Sequence, residues 1–291
     1  MAQDVFSLAS WNYLIKGVGR RLSQSPRCPS CGLTDSRTID RKFFYALKQC
    51  QGCKLNYRFP AETAEEMSQF YQDDYEQAGM TTDLPSDEVL KKQMDSNFAG
   101  TEKDFSRVVN ILNMLGIKPG ARVLDYGANW GYGVHQLRKA GYNAEGYELS
   151  KPRAAFAEKL AIHIETNIAA FKTPFDVVYS GHVLEHVPNP RETILEQIGL
   201  LGESGFVVGH TPNGSAERQQ SDPHKFHLSW GRVHPVLLTG QFITTNFPDN
   251  PSFIAGDGEG TKWLKDWDKA ANRVEDLSGY ELFFAMRKGR K

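Results

Sequence analysis

The sequence predicts an α/β protein with a doubly wound parallel sheet, preceded by a small cysteine-rich ribbon and a helical segment. From residue 121 onward, strand-like runs alternate with helix-like runs, the pattern of a parallel sheet covered by helices on both faces. Ahead of that region, all four cysteines fall in two C-x2-C pairs. A glycine-rich turn, VLDYGANWGYG, closes the first strand of the alternating region. We therefore divide the chain into residues 1–60, 61–118 and 119–291.

The composition is that of a globular protein, with 40% hydrophobic and 24% charged residues. No apolar run approaches the roughly 18 residues that a membrane-spanning helix needs, and the N-terminus lacks a secretory apolar core. We therefore expect a cytoplasmic protein without a membrane span.

The net charge of −1 is unevenly distributed along the chain. Residues 1–60 carry ten basic and three acidic residues, whereas residues 61–100 carry two basic and ten acidic ones. The basic segment either attracts an anionic partner such as nucleic acid or docks on the acidic segment beside it. Because the two charges nearly cancel, we favour docking.

The cysteine pattern C-x2-C-x18-C-x2-C falls within the template of zinc sites. Four thiolates at about 2.3 Å complete a tetrahedron around Zn²⁺. Gly32 and Gly52 supply permissive backbone for the two tight turns. The predicted ligands of a structural zinc ion are Cys28, Cys31, Cys50 and Cys53.

Other roles for these cysteines are two disulfides, a redox pair or an iron site. Disulfides need an oxidising compartment, and a redox pair needs a βαβ context that is absent here. Between the two cysteine pairs, RTIDRKFFYALKQC is strand-like and completes the predicted zinc ribbon.

Residues 61–118 are predicted to be mainly helical. Met67, Phe70 and Tyr71 have helical spacing, and a looser stretch follows near residues 80–92. A second amphipathic helix ends at Gly116. Its apolar face consists of Phe105, Val108, Val109, Leu112 and Leu115.

In residues 119–291, the predicted strands are ARVLDYG, NAEGYEL, IHIETNI, PFDVVYSGHVL, GFVVGHTP, PSFIAGDG and YELFFAMRKG. HPVLLTGQFI and TKWLKDWDKAANRV are helix-like, and a long polar loop occupies residues 211–235. Sheets of this kind bind ligands beyond the carboxyl ends of their strands.

The glycine turn favours a cationic cofactor over a dinucleotide. Gly127, Gly131 and Gly133 do not match the spacing G-x-G-x-x-G. Asp125 would repel a pyrophosphate, but it would attract the ammonium and sulfonium of S-adenosylmethionine. Glu148, at the end of the second strand, suits ribose hydroxyls in either kind of cofactor.

Four segments resemble the class I S-adenosylmethionine-dependent methyltransferases: VLDYGANWGYG, GYELS, FDVVYSGHVLEHVPNP and GFVVGHTPNG. The resemblance covers roughly residues 120–215 and implies a Rossmann-like, seven-stranded sheet. The family's loop is D-x-G-x-G-x-G, and this chain departs from it at Asn129, a residue type that tolerates left-handed backbone.

The resemblance also implies the cofactor contacts. The methionine end would lie against Asp125, Gly127, Ala128, Asn129 and Gly131. The ribose would meet Glu148 and Leu149, the adenine Asn167 and Ile168, and the sulfonium Ser180 and Gly181.

A ribbon, a helical segment and a methyltransferase core in this order resemble a bacterial subgroup that methylates sugars on nucleotide carriers, surface glycans or antibiotics. This implies in-line transfer to a sugar hydroxyl, assisted by a histidine base. The candidate bases are His182, His224 and His227, with His186 as a fourth. His186 could instead only fix its loop, and H-x2-H at His224 and His227 could instead bind a second metal.

Three other functions stay open. The basic ribbon suits an RNA base methyltransferase, although no N-P-P-Y-type element follows the fourth strand. The second is a natural-product O-, N- or C-methyltransferase that acts on a non-sugar. The third is a non-catalytic zinc-ribbon scaffold, and the presence of Asp125, Gly127 and Glu148 argues against it.

Overall fold

The computed structural model describes residues 8–62 and 83–289. The described helices are α1 (Leu8–Ser23), α2 (Asp87–Asp95), α3 (Ser106–Leu115), α4 (Tyr132–Lys139), α5 (Lys151–Phe156), α6 (Pro190–Gly199), α7 (Ala216–Ser221), α8 (Pro223–Ser229) and α9 (Gly240–Asn246). The described strands are β1 (Ser36–Lys42), β2 (Tyr45–Cys50), β3 (Asn56–Phe59), β4 (Arg122–Tyr126), β5 (Asn143–Tyr147), β6 (Ile164–Glu165), β7 (Phe175–Gly181), β8 (Leu201–Pro212), β9 (Val236–Leu237), β10 (Ser252–Gly256), β11 (Arg273–Val274) and β12 (Glu281–Arg287).

The larger sheet has the order β11-β10-β12-β8-β7-β4-β5-β6. From β8 to β6 every neighbouring pair is parallel, and β12 runs antiparallel between β8 and β10. This confirms the doubly wound, Rossmann-like α/β fold. The sheet has eight strands rather than the expected seven, because the two-residue β11 pairs with the edge of β10.

The smaller sheet is the ribbon, with the order β1-β2-β3-β9. Strands β1 and β2 coincide with the strand-like RTIDRKFFYALKQC segment. The fourth strand comes from the C-terminal region and pairs with β3 through Tyr57 and Val236. The ribbon sheet therefore combines strands from residues 36–59 with a strand from residues 236–237, far away in the sequence.

The prediction that HPVLLTGQFI is one helix is wrong, because its first part contains strand β9. Val236 and Leu237 are fully buried in the ribbon sheet, so tertiary pairing prevails over helical spacing. The helix begins only at α9, where the Thr239 side chain accepts a hydrogen bond from the Phe242 amide.

The helical segment agrees in part with the prediction. Helix α3 lies where expected, buries Val108 and Leu112, and ends at a left-handed Gly116. The stretch expected to be loose contains α2, whose N-terminus is capped by Ser86. The predicted helix around residues 67–71 lies outside the described residues.

Two further segments differ from the prediction. The polar loop after β8 contains α7 and α8, with the Asp222 side chain capping α8. TKWLKDWDKAANRV is a 3₁₀ segment (Glu259–Asp266) followed by β11, and it buries Leu264 and Trp267. Throughout residues 8–62 and 83–289, no helix combines the length and the apolarity that crossing a bilayer requires.

Buried hydrogen bonds join the ribbon to the methyltransferase-like core. The Asn56 side chain, fully buried, donates to the carbonyl of Gly214 at 2.7 Å, and the Arg58 amide donates to the carbonyl of Pro235 at 2.8 Å. Arg58 also forms an ion pair with Glu62 at the start of the acidic segment. The ribbon therefore contacts both the core and Glu62, which is the first negatively charged residue of the acidic segment.

Replacement of Asn56 by alanine should weaken this junction. The change leaves the buried Gly214 carbonyl without its donor, so we expect the free energy of unfolding to fall by about 1–3 kcal/mol. The matched control is Asn143→Ala, because Asn143 is exposed yet also donates to a carbonyl, that of Gly120. Its loss should stay below about 0.5 kcal/mol in chemical denaturation. Equal losses in the two variants would contradict a buried junction.

Candidate functional site

The glycine turn between β4 and α4 depends on three left-handed residues. Gly127, Asn129 and Gly131 have φ values of 89°, 52° and 86°. Asn129 thus adopts the backbone conformation that a glycine would take at this place. A Cβ at residue 127 would lie 2.4 Å from Val183 Cγ2, so this glycine also permits close packing of the loop after β7.

Two carboxylates meet at the carboxyl ends of β4 and β5. Asp125 is buried, and this burial, together with the charge of Glu148, raises the pKa of Asp125 to about 7. Glu148 accepts hydrogen bonds from the amides of Asn129 (3.0 Å) and Ser150 (2.8 Å). Within the described ranges, no ion pair reaches either carboxylate, so the pair favours a cationic ligand with hydroxyls to donate.

The other residues expected to contact the ribose and the adenine follow β5 and β6. Leu149 follows Glu148 and is 74% exposed, so its side chain is accessible to a ligand. Ile168 is half-buried after β6. The exposed Asn167 uses its side-chain oxygen to accept the Ala169 amide at 3.0 Å, which shapes the turn.

A cavity opens at the carboxyl ends of β4, β7 and β8. The register places Asp125 opposite Tyr179 and Gly181 opposite His210, so side chains from three strands converge there. Helix α3 and the start of β12 complete its wall. The lining includes Arg107, Asp125, Tyr132, Tyr179, Gly181, His182, His210 and Glu281.

Ser180 and Ala128 lie just behind this cavity. Ser180 is fully buried at the end of β7, and its hydroxyl has no hydrogen-bond partner in the described part of the chain. The same holds for the side-chain oxygen of Asn129. Buried polar atoms of this kind are suited to a bound ligand.

His182 is held between two carboxylates. Its Nδ1 lies 3.0 Å from Glu185 Oε1, and its Nε2 lies 2.8 Å from Glu281 Oε1. Burial opposes the imidazolium charge, but the hydrogen bonds to these carboxylates outweigh it and raise the pKa of His182 to about 10. With both N–H groups donated, His182 is a cation in this geometry and has no free lone pair to accept a proton.

Glu281 links His182 to the helical segment. Its other oxygen accepts a hydrogen bond from Arg107 Nη1 at 2.7 Å. Burial opposes ionisation, but the hydrogen bond and charge of His182, with smaller contributions from His210 and Arg107, lower the pKa of Glu281 to about 2. The result is a fixed cation–anion–cation series along one wall of the cavity.

His210 is the histidine that the sequence analysis did not select. It is 3% exposed, and neither ring nitrogen has a hydrogen-bond partner among the described residues. Burial, reinforced by the Arg107 charge, lowers the pKa of His210 to about 3, so the ring is neutral. Its only sequence signal was a polar residue inside the apolar strand GFVVGHTP.

The remaining candidate histidines lie away from the cavity. His224 is exposed on α8, and His227 Nδ1 contacts Asp40 Oδ2 of the ribbon at 2.9 Å. His186 Nδ1 donates to the carbonyl of Val233 at 2.8 Å, and burial lowers the pKa of His186. None of the three lines the cavity that contains Asp125.

The four cysteine sulfurs come together as expected from their spacing. They lie within 4.8 Å of one another, with Cys28–Cys53 and Cys31–Cys50 Sγ distances of 3.4 Å. These distances are too long for disulfides, and a thiolate tetrahedron with bonds of about 2.3 Å has edges of roughly 3.8 Å. The four residues therefore fit a tetrahedral metal ion.

The two cysteine turns have the same backbone pattern. The Cys28 amide donates to Leu33 O and the Cys50 amide to Leu55 O. The left-handed residue is Gly32 in the first turn but Lys54 in the second. Gly52 is not in the left-handed region, so its role in the turn differs from that of Gly32. Instead, a Cβ on Gly52 would lie 2.4 Å from the Leu33 side chain.

Residues 101–245 match the family model described as "Methyltransferase domain". Among curated proteins, a 118-residue segment is 26% identical to the ubiquinone biosynthesis O-methyltransferase of Alkalilimnicola ehrlichii, covering 37% of this chain and 48% of that protein. A 133-residue segment is 26% identical to the cyclopropane mycolic acid synthase MmaA2 of Mycobacterium tuberculosis, covering 42% of this chain and 46% of that protein. The chain thus spans about half the length of these curated relatives.

Solved structures support the fold. The plantazolicin methyltransferase BamL, in complex with a triazolic desmethylPZN analog and SAH, aligns with a TM-score of 0.51 at 11% identity. The alignment covers 77% of this chain and 94% of that chain. At this identity the likeness concerns the fold alone.

Cofactor binding should depend on pH through Asp125. Because its pKa is raised to about 7, the carboxyl must lose a proton to pair with the ammonium of S-adenosylmethionine. The affinity should therefore rise up to about tenfold per pH unit between about 5.5 and about 7, then level off. Calorimetry in buffers of different ionisation enthalpy should detect the released proton.

Asp125→Asn should bind more weakly and without this pH dependence. The control is Asp104→Asn, since Asp104 lines the same cavity but backbone hydrogen bonds, first that of Ser106, lower its pKa. That variant should keep the wild-type slope. A wild-type affinity that is constant across this pH range would contradict the assignment.

Proposed function

We propose that this chain, whose residues 101–245 match a methyltransferase-domain family model, is a class I S-adenosylmethionine-dependent methyltransferase that methylates a hydroxyl group of a sugar or sugar-bearing small molecule. The observation that carries the proposal is the cavity joining Asp125 to His182, His210 and Glu281. One end suits a cationic cofactor and the other a polar, polyhydroxylated acceptor.

At the cofactor end, Asp125 would pair with the ammonium, and Glu148 would accept hydrogen bonds from the ribose hydroxyls. The two amides that hold Glu148 fix its orientation, so its remaining lone pairs face outward without reorganisation. The exposed Leu149 and half-buried Ile168 would contact the adenine ring. The orphaned oxygens of Asn129 and Ser180 supply further polar contacts.

At the acceptor end, His210 is our choice for the proton acceptor. When bound, S-adenosylmethionine would supply an electrophilic methyl group and would leave as the neutral thioether, with the electron pair of the broken carbon–sulfur bond on sulfur. His210 would hold the acceptor hydroxyl and take its proton on a ring nitrogen as the oxygen gains the methyl group. This role needs a ring nitrogen without a hydrogen-bond partner among the described residues, which His210 has and His182 does not. The lowered pKa makes His210 a weak base, so the choice rests on its position and its unpartnered nitrogens rather than on its basicity.

The charged series along one wall of the cavity would position the acceptor rather than take its proton. Arg107, Glu281 and His182 hold one another in fixed positions and present N–H groups and carboxylate oxygens to the cavity. Such groups can orient sugar hydroxyls so that only one lies in line with the methyl group. A ubiquinone biosynthesis O-methyltransferase among the relatives is consistent with an oxygen acceptor.

We further propose that the four cysteines bind one structural zinc ion. A cytoplasmic location, where thiols remain reduced, suits such a site. The zinc would stabilise a ribbon whose Asp40 accepts hydrogen bonds from His227 and from Trp230 Nε1 (2.7 Å). In this view α8 docks on the ribbon, and His227 positions that helix rather than acting on the acceptor.

The test of the proposed function is a methyl-transfer screen with isotopically labelled S-adenosylmethionine. Nucleotide sugars and glycosylated small molecules are compared with total RNA and with peptides. We expect label in a sugar fraction, at an oxygen identified by mass spectrometry. Label found only in RNA would replace this proposal by the RNA methyltransferase alternative, and label in no fraction would favour the scaffold alternative.

His210→Gln should lower kcat by about 10²–10⁴-fold, because it removes the proton acceptor but keeps most of the side-chain volume. The dissociation constant of the cofactor should change little. His163→Ala, at an exposed site remote from the cavity lining, is the control. A large loss of kcat in His224→Ala or His227→Ala, with no loss in His210→Gln, would contradict the choice of His210. The base would then lie in the loop at residues 211–235, as the sequence predicts.

A further inference from the structure

A second group of metal-binding side chains lies behind His182, separate from the cysteines. One carboxylate oxygen of Glu185 and one ring nitrogen each of His186 and His234 lie within 4.8 Å of one another. Glu185 and His186 belong to the turn after β7, and His234 precedes β9. We propose that these three residues bind a divalent transition metal ion of the Zn²⁺ class.

The two imidazoles are held in the tautomer that metal binding requires. His186 Nδ1 lies 2.8 Å from the carbonyl of Val233, and His234 Nδ1 lies 2.9 Å from the carbonyl of Ser229. A carbonyl can only accept, so both Nδ1 atoms carry the proton. In the neutral form of each ring, the lone pair is therefore on Nε2. Metal-binding histidines commonly donate their other N–H in this way, which fixes the ring orientation.

The carboxylate is likewise held in place. Glu185 is fully buried, with Oε1 accepting from His182 Nδ1 at 3.0 Å and Oε2 accepting from Thr211 Oγ1 at 3.1 Å. His186 Nε2 lies 3.9 Å from Glu185 Oε1. Bonds of about 2.0–2.2 Å place ligand atoms roughly 3–3.5 Å apart, so binding needs side-chain shifts on the order of 1 Å.

The donor set selects the class of metal. Two nitrogens and one carboxylate oxygen suit Zn²⁺, Co²⁺ or Fe²⁺, whereas Mg²⁺ and Ca²⁺ prefer oxygen donors alone. Three protein ligands leave coordination positions for water or another oxygen ligand. His186 and His234 are both half-buried, so solvent can supply the ion.

Such an ion would connect two loops and the acceptor cavity. It would tie the turn after β7 to the segment before β9, the strand that completes the ribbon sheet. It would also share Glu185 with His182, which lines the cavity. The pair His224 and His227, whose spacing suggested a metal in the sequence, does not take part in this group.

The experiment is a titration with Co²⁺ alone, on protein whose cysteine site retains zinc. We expect one additional equivalent with weak d–d absorption and without thiolate charge-transfer bands. His234→Ala and Glu185→Gln should each weaken cobalt binding by about 10–100-fold. His163→Ala is the matched control, because His163 is an exposed histidine beside Glu158 and Glu165 (3.8 and 3.2 Å), a candidate adventitious site, and it should change nothing.

A second measurement uses the unaltered protein and does not depend on the folding of variants. The cobalt form should show two exchangeable, hyperfine-shifted proton resonances, one from each Nδ1–H. Absence of an additional equivalent would overturn the proposal. So would thiolate charge-transfer bands, or binding that is lost in His163→Ala and kept in His234→Ala.

Discussion

The buried carboxylate of Asp125 is the constraint on which the rest of the site depends. It lies at the end of the central strand β4, next to Glu148, and no described cation pairs with it. Burial disfavours the charged form of this group, which is why its pKa is raised, and a positively charged ligand would favour that form again. Gly127, Asn129 and Gly131 have left-handed backbone, which turns the chain away from the strand end.

The proposed acceptor end is assembled by sheet register rather than by any contiguous motif. Parallel pairing of β4, β7 and β8 brings Tyr179, Gly181 and His210 beside Asp125, and β12 adds Glu281. One histidine there is a fixed cation and the other a neutral ring, although both have the same intrinsic pKa. The different environments account for the separation: two carboxylates hydrogen-bond to His182, whereas His210 is buried and feels the charge of Arg107.

Strand alternation and cysteine spacing were sufficient to predict the fold class and the cysteine cluster, and the position of Asp125 relative to the glycines led to the proposed cofactor end of the site. The ribbon's fourth strand could not be predicted, because β9 is two residues long and is stabilised only by pairing with β3. His210 was missed for a related reason: its burial and its lack of partners are properties of the assembled sheet. The docking of α8 on Asp40 likewise depends on contacts between residues almost 190 positions apart.

The most direct test is calorimetric binding of S-adenosylmethionine to the unaltered chain and to Glu148→Ala, with Glu165→Ala, at the end of the neighbouring strand β6, as the control. The account predicts at least about tenfold weaker binding for Glu148→Ala, because the lost ribose hydrogen bonds are charge-assisted, and unchanged binding for Glu165→Ala. Equal affinity in all three proteins would contradict the placement of the cofactor across Asp125 and Glu148.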